Sequence, residues 1–128
     1  MEDNEITGKI IGVFYDVYNR LGSGFLEKVY ENAMKIEFKK NGLKFKSQYP
    51  IKVFYDNNIV GDYIADFLIE DKIIVEIKAK KEYSDIDCAQ IINYLVSTKK
   101  KIGLLFNYGV RPQKKRFVNN FNINKRQL

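Results

Sequence analysis

Two apolar runs, "IVGDYIADFLI" (residues 59–69) and "KIIVEIKA" (72–79), are separated by only Glu70 and Asp71. A break that short between segments rich in β-branched and aromatic residues predicts a β-hairpin. Both strands carry apolar side chains on both faces, so each face of their sheet needs a cover. That requirement limits the chain to an α/β sandwich.

The flanking sequence supplies the covers. Ile6, Ile10, Phe14, Val17 and Leu21 recur at helical spacing and predict a first helix over 5–21. "LGSG" (21–24) breaks it. A second helix is expected over 25–40, with Leu26, Val29, Tyr30, Ala33 and Ile36 on one face and Asn41-Gly42 as a left-handed cap. "LKFKSQYPIKVFYD" alternates at Ile51, Val53 and Tyr55 like a strand, and Asp56-Asn57-Asn58 turns into the next one. Residues 84–98 form a third helix with Ile86, Ala89, Ile92, Leu95 and Val96 as its stripe. "IGLLFNYG" (102–109) fits a buried strand, and "KRFV" beyond Pro112 adds a short one. The expected order is α-α-β-β-β-α-β in one domain of 128 residues, with a mixed sheet and helices on both faces.

Within the hairpin, Glu76 and Lys78 interrupt a strand that otherwise reads as core. A buried charge costs several kcal/mol, on the order of 5, unless it is paired or holds a metal. Symmetry about Asp71 sets Asp66 opposite Glu76, five residues on either side. Directly opposed like charges destabilise a sheet. Lys78 lies on the Glu76 face by alternation, and a one-residue shift of the turn would split the set. Two readings follow. One is a salt bridge from Lys78 to Glu76 or Asp66 at an exposed strand end. The other is a site in which Asp66 and Glu76 hold a divalent cation, the main-chain carbonyl of Ile77 adds a ligand, and Lys78 acts on a water or a phosphate.

Composition narrows the chemistry. There is no His and only one Cys, Cys88. A zinc site, a Ser-His-Asp triad and a histidine base are thereby excluded. A metal would be held by oxygen ligands, which favours Mg²⁺, Mn²⁺ or Ca²⁺. The lone cysteine, a polar N-terminus and the lack of a long apolar run predict a cytoplasmic protein without a membrane span. Charge is one-sided. All sixteen acids lie at or before Asp87, whereas nine Lys or Arg and no acid follow Cys88. The basic segment from about 111 is the footprint of a polyanion binder, or a solvated tail.

Asp66 and Glu76-Ile77-Lys78, set in this element order, resemble the core of the PD-(D/E)XK nuclease superfamily. Gly24-x-x-Glu27-x-x-Tyr30 resembles the signature of the small bacterial GxxExxY protein family within it. "AQIINYL" and "GLLFNYG" are similar to that family's later blocks, and Ala65 stands where the strict motif has Pro. The resemblance implies Mg²⁺ or Mn²⁺ as cofactor. Asp66 and Glu76 would be ligands, Glu27 an additional acid near the metal, and Lys78 the catalytic lysine. Gln90 and Tyr94, one turn apart, would lie near the site or substrate.

Three functions fit. The first is a metal-dependent nuclease of DNA, structure-selective or partner-directed, because a chain this short has no separate sequence-reading domain. Lys80, Lys81, Arg111, Lys114, Lys115 and Arg116 would hold its backbone. The second is a non-catalytic nucleic-acid-binding or assembly module. The third is an RNA nuclease. Phe14, Tyr15 and Tyr18 on the first helix extend the core or form the face of a homodimer.

Overall fold

A computed structural model describes residues 1–120; Lys125 and Arg126 of the basic segment lie outside the described residues. The elements are α1 (Asp3–Leu21), α2 (Glu27–Lys40), β1 (Phe45–Tyr55), β2 (Asn58–Ile69), β3 (Ile73–Lys78), α3 (Asp85–Thr98), β4 (Ile102–Tyr108) and β5 (Pro112–Val118). The strands form a mixed sheet in the order β1-β2-β3-β4-β5. Only β3 and β4 are parallel, joined by α3 as the crossover. Among the described residues no helix is long and apolar enough to cross a membrane.

Two cores sandwich the sheet, as the two-faced strands require. On one side α1 and α2 pack Ile6, Ile10, Phe14, Tyr30, Met34 and Phe38 against Phe67, Val75, Leu104 and Phe106. On the other, α3 packs Ile91, Tyr94 and Leu95 against Leu68, Ile74 and Leu105. The aromatics of α1 extend the first core. Phe14 stacks on Phe106 at 4.4 Å, Tyr15 and Tyr18 are half-buried beside it, and the Tyr18 hydroxyl donates to the Val110 carbonyl at 2.6 Å.

Two expected helix faces are corrected. In α2 the buried stripe is Tyr30, Met34 and Phe38, while Leu26, Val29 and Ile36 are exposed. In α3 the buried residues are Asp87, Ile91, Tyr94 and Leu95, while Ile86, Ile92 and Val96 face outward. Both helices carry apolar residues on more than one side, so periodicity alone did not orient them. Contacts did. A Cβ on Gly103 would meet Ile91 at 3.0 Å and Leu95 at 3.1 Å, so this glycine lets α3 lie close on β4.

The β1–β2 ribbon runs well past the sheet. β3 pairs with β2 only from Ile69↔Ile73 to Phe67↔Val75, whereas β1 and β2 stay paired out to Tyr55↔Asn58. Ile51 is buried and Val53 half-buried as alternation predicts, but Tyr55 stands in solvent because the ribbon tip has no cover.

At the carboxyl end of β3, the buried Asn107 accepts the Lys80 N–H at 3.0 Å and donates to the Lys80 carbonyl at 2.9 Å and to Gln113 at 3.0 Å. Gly109 lies under the same loop, where a Cβ would come within 2.6 Å of the Lys80 carbonyl oxygen and 2.9 Å of that of Lys81. Gly109→Ala is therefore expected to cost about 1–3 kcal/mol, because backbone must move. Gly8, exposed within α1 with open space around it, should behave oppositely, Gly8→Ala adding about 0.5–1 kcal/mol. Urea unfolding reads both, and equal midpoints would contradict this packing account.

Candidate active site

The register of the hairpin centres on Asp71, as symmetry predicts, and places Asp66 opposite Glu76. The ladder stops one residue before them. In place of main-chain pairing, the Asp66 N–H donates to Glu76 Oε1 at 2.8 Å, and the Ile77 N–H donates to Asp66 Oδ2 at 2.7 Å. Each carboxylate thus fills one hydrogen-bonding position that the opposite strand has left. Among the described residues no donor reaches the second oxygen of either, Asp66 Oδ1 and Glu76 Oε2. The Ile77 carbonyl points the way its N–H does, toward the opened side of β3.

Glu76 is 4% exposed and Asp66 is half-buried. Among the described residues neither has a cation within ion-pair distance. Burial pushes Asp66 up to about 6 and Glu76 to about 8, and the charge of Asp66 raises Glu76 further. Glu27 raises both, and Glu31 raises Asp66. A buried and a half-buried acid that repel one another, with a backbone carbonyl alongside, fit a divalent cation. No three carboxylates among the described residues cluster tightly enough to cage one alone. The site therefore suits an ion that keeps water or substrate oxygens in its shell.

Lys78 lies on the α3 face. Its Nζ donates to Gln90 Oε1 at 3.2 Å and sits 3.8 Å from Asp87 Oδ1. It is 18% exposed and makes no salt bridge with Glu76 or Asp66, as the strand-end alternative required. Asp87 also binds Lys80 Nζ at 2.8 Å and the Ser84 N–H at 2.8 Å. These donors hold its carboxyl below the usual range despite the opposing effect of burial. Tyr94 is buried against Tyr63, and burial followed by the charges of Glu76 and Asp66 pushes its hydroxyl up to about 12.

Glu27 is the first residue of α2 and is exposed; its charge raises both acids. The loop before it is held by Tyr30, whose hydroxyl donates to the Gly22 carbonyl at 2.6 Å and accepts the Phe25 N–H at 3.2 Å. Gly24 in that loop has φ of 107°, open to glycine and strained for other residues. Tyr30 stacks on Tyr108 at 4.1 Å, so its role is packing and loop anchoring.

Of the basic residues, Lys80 and Lys81 lie in the loop held by Asn107 and Gly109, directly after Lys78, and Arg111 follows Gly109 by two residues, exposed. Lys114, Lys115 and Arg116 run away along β5, exposed, with Lys115 over the Phe117 ring. Four site-forming residues had been passed over. Asp87 was legible as the acid of a Ser84-x-x-Asp87 capping box, and Glu31 as a like charge one turn from Glu27. Asn107 stood out as a polar residue in an apolar strand. Gln48 carried no signal.

The family profile for the PD-(D/E)XK nuclease superfamily matches residues 4–118. The chain belongs to that superfamily. Solved structures agree at the level of fold. The crystal structure of SSO0001 has a TM-score of 0.56 and 15% identity over 72% of this chain and 49% of that one. An alkaline exonuclease, LHK-Exo, from Laribacter hongkongensis has a TM-score of 0.50 and 11% identity over 75% of this chain and 57% of its own. This chain thus spans about half the length of each. Among curated proteins, none matches it in sequence.

The superfamily motif accounts for buried acids with raised proton affinity, and the sign of their pH effect follows. The folded state holds protons that the unfolded chain has released above about pH 4.5. Stability from these groups is present at low pH and lost as pH rises through about 6 and then 8. Chelator-treated protein is expected to melt lower at pH 8.5 than at pH 5.5. Glu76→Gln should flatten that slope, and millimolar Mg²⁺ or Mn²⁺ should raise the pH 8.5 midpoint of the wild type. A thermal melt across pH decides; a flat wild-type profile would contradict the burial account.

Proposed function

We propose that the protein is a divalent-metal-dependent nuclease that hydrolyses phosphodiester bonds of DNA, within the small GxxExxY branch of its superfamily. The observation that carries this reading is the broken ladder at Asp66 and Glu76. A buried and a half-buried acid each spend one oxygen on the opposite strand's N–H, and no donor among the described residues takes the other. A salt bridge or a plain core would leave no reason for that arrangement.

Asp66, Glu76 and the Ile77 carbonyl would hold Mg²⁺ or Mn²⁺, with Glu27 at the mouth. The cation would polarise the scissile phosphate and make a water acidic enough to attack near neutral pH. Lys78, on the same face of β3 as Glu76 and fixed by Gln90 and Asp87, would offset charge that builds on the phosphate in the transition state. Gln90 thereby acts on the lysine directly. Tyr94, with its ring buried, contributes by walling the site next to Gln90. Lys80, Lys81 and Arg111 would take the first phosphates, and Lys114, Lys115 and Arg116 would extend the basic track. The β1–β2 ribbon projects past the acids, which suits a branched or otherwise shaped substrate better than reading of a base sequence.

The test is a panel of linear, single-stranded, branched and RNA substrates with Mg²⁺, Mn²⁺ or chelator. Cleavage should require the metal and favour DNA. Asp66→Ala, Glu76→Ala and Lys78→Ala should each lower the rate by roughly a hundredfold or more. Salt-sensitive binding without cleavage of any substrate would instead identify a binding module, and preference for RNA would move the assignment to an RNA nuclease.

A further inference from the structure

Gln48 is an anomaly in β1. Its neighbours keep regular pairing, Ser47↔Phe67 and Tyr49↔Ala65, so Gln48 stands in the row of Asp66 and Glu76. Its own φ is 54°, the left-handed region, within a strand. That conformation costs a non-glycine residue on the order of 1 kcal/mol and persists only where surroundings enforce it. Glycine or Asn would adopt it more cheaply. A long amide is found instead.

The amide has a partner. Gln48 Nε2 donates to Glu31 Oε2 at 3.0 Å. Glu31 lies on α2, one turn after Glu27, and its side chain is 8% exposed. The left-handed turn of the backbone carries the amide across to this helix. The row is also where the ribbon changes face. Phe45, Phe67 and Ile69 belong to the core under α1 and α2, whereas Tyr49, Ile51 and Ala65 belong to the core under α3. Glu31 is bound as well by Lys28 at 3.6 Å and Lys35 at 3.9 Å, both on its own helix. Lys28 is largely in solvent, where its charge is screened. Lys35, 30% exposed, makes the longer of the two contacts. The Gln48 amide stands in the Asp66 row, which brings the carboxylate it holds near Asp66, and the Glu31 charge acts on the Asp66 carboxyl.

We propose that Gln48 and Glu31 are positioning residues for the cation site: Gln48 accepts a strained backbone in order to fix the buried Glu31 carboxylate beside Asp66, where its negative charge strengthens cation binding. The inference rests on the metal-site reading above and adds to it residues outside the motif. Neither touches the reacting atoms. Partners of this kind orient and tune ligands from behind and typically contribute ten-fold or more to affinity.

Mn²⁺ titration calorimetry of the full chain tests it, with thermal midpoints in chelator alongside. Wild type, Glu76→Ala, Glu31→Gln and Gln48→Gly are compared. Glu31→Gln keeps the shape and the bond to Gln48, and should bind Mn²⁺ about ten-fold more weakly. Gln48→Gly should lose affinity similarly yet melt no lower than wild type, because glycine relieves the left-handed backbone. A purely structural role predicts the reverse, a lower melting point with affinity unchanged. Unchanged Mn²⁺ affinity in Glu31→Gln overturns the proposal whatever Gln48→Gly does. Failure of the metal-site reading looks different: wild type then binds no Mn²⁺, or Glu76→Ala binds as well as wild type, and the proposal falls with it.

Discussion

The pair of bonds in which the Glu76 carboxylate takes the Asp66 N–H and the Asp66 carboxylate takes the Ile77 N–H is the constraint on which the rest of the structure turns. A hairpin with two acids facing one another cannot close its ladder there, since the charges repel and would be buried. Here the strands part, and the carboxylates take the N–H groups that parting would orphan. Those bonds satisfy the backbone while locking the acids at the gap. Beyond it β2 has only β1 for a partner, so the ribbon leaves the sheet and curls toward α3, and Gln48 marks the bend.

Several of the remaining buried polar groups form supports around that gap. Asn107, Gln113 and Gly109 fix the loop after β3. Asp87 caps α3 and takes Lys80 and Lys78 on its two oxygens. Tyr30 holds the turn that delivers Glu27. Each support is a hydrogen bond between a side chain and a loop or helix end, so the site sits on fixed elements, which keeps reactive groups within the narrow tolerance catalysis needs.

Much of this was legible in the chain. The Asp66–Glu76 register followed from counting outward from Asp71, because a short turn leaves a hairpin little freedom. α1 was read from one clean stripe, and the two-sided strands demanded the two cores that are present. The faces of α2 and α3 were misread for one reason: Leu26, Val29 and Ile36, and Ile86, Ile92 and Val96, make apolar stripes as good as the buried ones. Only close approach, such as α3 over Gly103, chooses between them. Gln48 was illegible because a left-handed residue in a strand is set by what lies across space, here Glu31 on another helix, and local propensity argues against it.

The electrostatics explain why the arrangement survives its cost. Charging Glu76 is opposed by burial, then by Asp66, and further by Glu27, while the backbone donor and Lys78 oppose the rise. Lys78 cannot settle the account, because Gln90 and Asp87 hold its ammonium on α3. Among the described residues, the protein's own cations thus cancel the negative potential at the gap only in part. In a fold selected for stability alone, a hydrophobic pair at 66 and 76 would close the ladder and remove the repulsion. Retaining acids there, and bracing them from three elements, makes sense if the missing positive charge arrives from outside as a divalent ion. Its binding would then stabilise the folded state by the same interactions that prepare the site for chemistry.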